Sequence, residues 1–213
     1  MPTWGEILQE LNSTGTPAGA PDFDGVRRGY LARLHALTGR AVILYSSAWL
    51  DSLDVPPDAI SITLRDMEGF MEALSEVEEE ELDLIIHSPG GSAEAAEAIV
   101  EYLRARFTHI RVFVPLAAMS AATMVALSAD EIVMGDHSQL GPIDPQFQII
   151  TPEGPRAAPA KAILDQFERA KIECRDPANL PAWMPILRSY APGLLAQCED
   201  SRELAEGMVS QWL

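Results

Sequence analysis

Lysine is nearly absent from these 213 residues: thirteen of the fifteen cationic side chains are arginines, which leaves only Lys161 and Lys171. A guanidinium does not give up its proton near neutral pH, so few of these cations can ever act as a base. Positive charge is scarce altogether, and 32 acidic residues bring the formal net charge to -17. Such a chain repels a phosphate backbone and the anionic face of a membrane, which excludes nucleic acid as a partner. Cysteine is rarer still. Cys174 and Cys198 lie far apart, with no CxxC spacing and no nearby His pair to complete a zinc site, so both are expected to be reduced, structural thiols. The start, "MPTWGEILQEL", has neither the basic residues nor the apolar run of a signal peptide, and the expected compartment is the cytoplasm. One long uncharged run exists, Val112 to Ala129. Pro115 and the Ala, Ser, Thr and Met that follow divide it into a buried strand, a turn and a buried helix better than they make a membrane span.

What is present fits one globular α/β domain with a sizeable core, at 47% hydrophobic residues. A first helix over about Trp4 to Leu11 is followed by the linker "NSTGTPAGAPDFDG", so residues 1–25 read as an N-terminal arm and 26–213 as the main domain. The arm carries Trp4, Ile7 and Leu11 on one helical face and is too short to be stable alone, so it is expected to dock on its own core or on a neighbour. Then come a helix over 26–37, a strand over 41–46, a Pro-containing loop at "DVPPDA", a helix over 64–77, a strand over 82–87, a helix over 93–107, a strand over 110–114, a helix over 120–128 and a strand over 131–134. Strands alternating with helices are the signature of parallel β/α units. The acidic run Glu76 to Glu81 reads as a solvated face. Past Gly141 the chain is Pro-rich, then helical over about 161–173, then Pro-interrupted again before a last helix over 201–213.

The stretch "LDLIIHSPGGSAEAAEAI" runs a strand through Pro-Gly-Gly into a helix. Glycines at such a turn free backbone N–H groups to face a phosphate, a carboxylate or the oxyanion of acyl transfer. Neither the Gly-Lys-Ser/Thr of a Walker loop nor a GxGxxG fingerprint is present, so a nucleotide is excluded. An oxyanion needs a nucleophile on a neighbouring turn. The next strand-to-helix turn, "PLAAMSAATM", offers Ser120 at a helix start, with the small residues Ala118 and Ala122 two before and two after it. Small neighbours at those places permit the sharp turn that exposes a hydroxyl, the steric logic of the G-x-S-x-G elbow.

These two segments, "DLIIHSPGGSAEAAEAIVEYLR" and "VPLAAMSAATMVALSADEIVMGDHSQLGPIDPQ", resemble the serine dehydrogenase proteinase family, relatives of signal peptide peptidase A in the Clp/crotonase superfamily. The resemblance runs from "TWGEILQEL" to "LPAWMPILRSYAPGLLAQC" and is most specific over Met119 to Gln146. It implies a Clp/crotonase-like β/α superhelix, Ser120 as nucleophile, an oxyanion hole from the N–H groups of Gly91 and Ala121, and trimer-based or ring-like homo-oligomers. Ala122 stands where the family is expected to carry glycine, and the chain stops at "SQWL" where members usually continue.

For the base, the Clp pattern calls for a histidine, and "GDHSQLGPIDPQ" places Ile143 or Asp144 at that position. His137 comes too early in the loop, and His35, His87 and His109 read as structural. The Ser-Lys pattern of signal peptide peptidases calls for a lysine held neutral. Lys161 opens a helix, where the positive end of the dipole favours the neutral amine, and it matches the lysine of Ser-Lys relatives 41 residues past Ser120. Lys171 and His137 are the second choices.

The expected function is therefore a serine peptidase with a Ser120–Lys161 dyad acting on a peptide or protein substrate, with extended hydrophobic peptides favoured and no cofactor or metal implied. Peripheral association with a membrane stays open. The alternative is an inactive oligomeric scaffold or regulator of the same fold, and a weaker third is a crotonase-type acyl-CoA enzyme, for which this chain has few cations to meet CoA phosphates. A valine at Gly91 is expected to abolish turnover and spare the fold.

Overall fold

Four short strands with helical crossovers make the frame of the protein. The computed structural model describes residues 3–15, 20–51, 54–151 and 154–212. Residues 16–19 of the expected linker, 52–53 beside the Pro-containing loop and the last residue of the expected final helix lie outside the described residues.

The chain opens with α1 (Trp4–Ser13) and α2 (Phe23–Thr38). It enters the sheet at β1 (Ala41–Ser46), crosses through α3 (Asp66–Ala73) to β2 (Glu81–His87), through α4 (Ala93–Arg106) to β3 (His109–Val114), and then through β4 (Ala117–Ala118) and α5 (Ala121–Leu127) to β5 (Glu131–Met134). The strand order is β1-β2-β3-β5 and every pairing is parallel, with Ala41 opposite Leu82, Leu82 opposite Ile110 and Val112 opposite Ile132. This is the mixed α/β fold with a parallel sheet that the alternation of strands and helices predicts. Parallel sheets are covered on both faces and read as near-continuous apolar runs. Accordingly Leu82, Leu84, Ile86, Ile110, Val112 and Val114 are buried, and α5 buries every residue from Ala121 to Ala126. The uncharged run from Val112 thus divides among β3, β4 and α5 as expected. No described helix is long and apolar enough to cross a membrane.

Beyond β5 the chain adds β6 (Gln139–Leu140), which pairs with β4, then an antiparallel ribbon of β7 (Gln146–Thr151) and β8 (Gly154–Pro159). It ends in α6 (Ala160–Glu173), α7 (Leu180–Arg188) and α8 (Leu194–Trp212). The sequence does not predict the ribbon or α7, because prolines mask both. A two-stranded ribbon has free edges that tolerate proline, and α7 takes one proline in its first turn and Pro185 in its interior. The last helix begins seven residues earlier than expected, directly after Gly193 at φ 80°. It crosses back over the domain, placing Ala205, Met208 and Val209 in the main core and Leu194 and Cys198 in a smaller cluster with Ala160 and Ile163 of α6. Both cysteines are free.

The arm docks on α2, with Leu11 buried and the Tyr30 hydroxyl donating to Glu10 at 2.7 Å. Trp4, expected on the docked face, is instead 70% exposed.

Candidate active site

The turns after β2 and β3 are sewn together by backbone. Ser88 forms an isolated parallel bridge with Ala118: its N–H donates to the Ala117 carbonyl at 3.2 Å and its carbonyl accepts from Met119 N–H at 3.0 Å. On the other side of the first turn, Ile62 N–H donates to the Gly90 carbonyl at 2.7 Å, and Ser92 N–H donates to the Ile62 carbonyl at 3.0 Å. The two glycines are therefore held between two neighbouring chain segments.

This threading explains why neither position takes a side chain. Gly90 has φ 90°, and a Cβ there would lie 2.3 Å from the Met119 carbonyl oxygen, 2.7 Å from Ser120 Cβ and 2.8 Å from Ala121 N. A Cβ at Gly91 would lie 2.1 Å from the Ile62 carbonyl oxygen. That overturns the expectation that Gly91→Val spares the fold, because the obstacle is backbone rather than a side chain that can swing away. The Gly-Gly pair therefore brings the turn into contact with the nucleophile's own turn.

Ser120 itself has φ 51° and ψ -120°, a region that costs an L-residue of order 1–3 kcal/mol. It is the one non-glycine residue with positive φ among the described residues, and its side chain makes no capping hydrogen bond to α5. Thr123, which the sequence reading passed over, helps to hold this turn. Its hydroxyl lies 2.7 Å from the Ala118 carbonyl and 3.0 Å from that of Gly141, and it accepts from Gly141 N–H at 3.1 Å. A buried threonine one turn after a candidate nucleophile was the available signal. Ala122, in the place where glycine is expected, is fully buried and donates its N–H to the Met119 carbonyl at 2.9 Å. The N–H groups of Gly91 and Ala121 donate to no acceptor among the described residues.

Ser120, Ala121, Gly90 and Gly91 line one cavity of about 380 Å³, whose far side is built from Ile143, Phe147 and the α8 residues Ser201 and Leu204. Glu94, from the first turn of α4, also lines it and was not singled out in the sequence. Ser92 Oγ donates to Glu94 Oε2 at 2.6 Å, and this hydroxyl holds the Glu94 carboxyl below the usual glutamate range.

The candidate bases stand outside this cavity. Lys161 lines a neighbouring cavity of about 300 Å³ with Asp144, Arg202 and Glu206, and Ile143 and Pro145 line both. Its backbone N–H donates to the Asp144 carboxylate at 3.2 Å, while its Nζ pairs with Asp165 and the side chain is 61% exposed. Asp144 thus occupies the start of α6, with Arg202 of α8 3.8 Å away. Lys171 pairs with Glu168 on the outer face of α6. His137 lies against the Pro115 carbonyl at 3.1 Å. The structure brings together Ser120, Gly91 and Ala121, and brings none of Lys161, Lys171 and His137 into their cavity.

Residues 53–179 match the family model of the ClpP-like SDH-type serine proteinase, over more than half of the chain. The chain belongs to this family. The matched span holds Gly90, Gly91, Ser120, Asp144 and both lysines, and stops short of α8. Two uncharacterized proteins of Methanocaldococcus jannaschii are similar: MJ0137, 44% identical over 87 residues, and MJ1495, 38% identical over 109 residues. These alignments cover 40% and 51% of this chain but 30% and 35% of those proteins, so the chain spans about a third of the length of the curated relatives it matches. Among solved structures, a mutant of a membrane-bound stomatin-specific protease is 19% identical at a TM-score of 0.42, covering 60% of this chain and 59% of that one. The ClpP protease catalytic domain from Plasmodium falciparum is 13% identical at a TM-score of 0.37, covering 53% and 62%.

Proposed function

We propose that the protein is a serine peptidase that works through an acyl-enzyme. Ser120 Oγ attacks a peptide carbonyl and gives its proton to the Lys161 amine, while the Gly91 and Ala121 N–H groups hold the oxyanion. The proton then goes to the leaving amine, and water releases the acyl group. The observation that carries this reading is the Ser120 turn: a strained, uncapped serine held against a Gly-Gly turn, with two undonated N–H groups at the same cavity. Strain of this kind clusters at active sites because the surrounding structure must over-determine it. For Lys161 to serve, its amine must leave Asp165, give up its own proton and turn toward the Ser120 cavity; the ion pair itself, exposed and at i,i+4, is worth only about 0.3–0.5 kcal/mol.

The substrate in this reading is an extended hydrophobic peptide, since Met124, Ile143, Phe147 and Leu204 line the cavity. Residues 26–213 act as one domain carrying an N-terminal arm, assembled as a trimer-based or ring-like homo-oligomer in the cytoplasm or at the periphery of a membrane.

One observation favours a second reading, an inactive scaffold of the same fold: no histidine or lysine lines the Ser120 cavity among the described residues. Turnover of a fluorogenic peptide library separates the two. Hydrolysis by the wild type that is lost in Ser120→Ala supports the peptidase; no hydrolysis by the assembled protein supports the scaffold.

A further inference from the structure

We propose that Glu94 makes the Ser120 cavity selective for peptides that carry a cationic group, an amine or a guanidinium, beside the scissile bond. The proposal deepens the peptidase reading and rests on it. Glu94 is the one charged side chain lining the cavity among the described residues; the other polar lining consists of Ser61, Ser92, Ser120, Ser201 and Gln146. It follows Gly91 by three positions, in the first turn of α4, and lines the same cavity as this proposed oxyanion donor.

A first-turn carboxylate ordinarily does no more than favour the helix dipole. Glu94 differs in its surroundings. Asp144 and Glu206, the acidic residues lining the neighbouring cavity, both have Arg202 beside them, whereas Glu94 has no cationic partner among the described residues. The Ser92 hydroxyl donates to Oε2 and no other side chain among the described residues pairs with this carboxylate, which leaves Oε1 for a ligand. The carboxyl, which this hydroxyl holds below the usual glutamate range, is ionised at neutral pH. A peptide that covers the cavity strips water from this carboxylate, which is unfavourable unless the peptide supplies a cation in exchange. The selectivity therefore comes as much from rejecting neutral and acidic peptides as from attracting basic ones.

The cation has two sources, a lysine or arginine side chain or a free α-amino terminus. The test is binding by calorimetry to the full-length Ser120→Ala protein and to Ser120→Ala/Glu94→Gln. The probes are three sets of one apolar peptide: N-acetylated with lysine placed at each position in turn, N-acetylated with norleucine at those positions, and the norleucine peptide with a free N-terminus. A lysine or free-amine peptide should bind roughly tenfold more tightly than the neutral one, a gain that shrinks with added salt and disappears in Glu94→Gln. Which set gains identifies the source. Equal binding of all three, absence of binding included, or a preference that survives Glu94→Gln overturns the proposal. Wild-type turnover of the same peptides is read separately: a Glu94-dependent preference without hydrolysis defeats the peptidase reading and leaves the cation site standing.

Discussion

The two ends of the parallel sheet are built on opposite principles. At the N-terminal ends of the strands, the core is crossed by charge. Asp83 of β2 is fully buried and accepts from Arg111 Nε and Nη2 at 2.9 and 2.8 Å. Arg40 Nε lies 2.8 Å from the same carboxylate as an ion pair, and the remaining Arg40 nitrogens reach Glu81 at 2.6 Å and His109 Nδ1 at 2.6 Å. At the C-terminal ends, where Ser120 stands, the packing is backbone against backbone through Gly90 and Gly91, and Glu94 is the one charge at the cavity among the described residues. The difference separates two tasks. A buried ion network of this kind fixes how strands meet, even though Arg40 Nε meets Asp83 as an ion pair without a hydrogen bond. A glycine turn carries no side chain to compete for the space, so its N–H groups remain available to a substrate.

If that division is right, damage at the two ends should be read by different instruments. Removing the buried carboxylate should have the largest effect: Asp83→Ala leaves Arg40 and Arg111 without their shared partner and should cost about 3–5 kcal/mol in urea denaturation. Turnover per folded molecule should not change. A variant that stays as stable as the wild type would break the comparison at its base.

At the other end, Gly90→Ala should be felt in rate as well as in stability. Its Cβ would press on the Met119 carbonyl and Ala121 N at φ 90°, misplacing an oxyanion donor. A donor lost from the hole costs about 10²–10³ in kcat, or about 2.7–4 kcal/mol, against about 1–3 kcal/mol of overpacking in stability. Unaltered turnover would remove this turn from the chemistry.

The base comes next. Lys161→Ala should lower kcat by at least about 10², and Lys161→Arg should be equally inactive because arginine cannot release its proton. Lys171→Ala should lose little. The reverse ranking would move the base along α6, and inactivity of His137→Ala alone would replace the lysine with a Clp-like histidine.

The smallest effect belongs to the capping serine. Ser92 accepts from Ala95 N–H at 3.1 Å and donates to Glu94, so Ser92→Ala should cost about 1 kcal/mol. Because the Ser92 hydroxyl depresses the Glu94 carboxyl, its ionic share of that stability is complete above the ordinary glutamate range. It is lost as the pH falls through the lowered Glu94 value. The stability gap between wild type and Ser92→Ala should therefore narrow in acid and not in base. A gap that widens in acid would show that Ser92 does not hold the ionised carboxylate.

Much of this architecture is legible in residue types. The β-branched and aliphatic runs at 41–46, 82–87 and 110–114 announce a parallel sheet, and Pro-Gly-Gly with a serine flanked by alanines marks the turns that meet. The rest depends on tertiary placement. Asp83 interrupts an apolar strand, and its partners come from either side, Arg40 from just before β1 and Arg111 from β3, so only pairing reveals the network. The ribbon at 146–159 and α7 are hidden because proline argues against both in isolation. Lys161 sits at the start of α6 as expected, yet where its amine points is decided by Asp165, one turn later.

The most direct test is to find where an acyl group lands. The wild-type protein is mixed with an activated peptide ester, quenched in acid during the first turnovers, and mapped by peptide mass spectrometry. The expected result is one acyl adduct on Ser120, absent from Ser120→Ala. Ser92 and Ser201 line the same cavity; an adduct on either of them, or none on any serine while the ester is consumed, would contradict the assignment of Ser120 as the nucleophile.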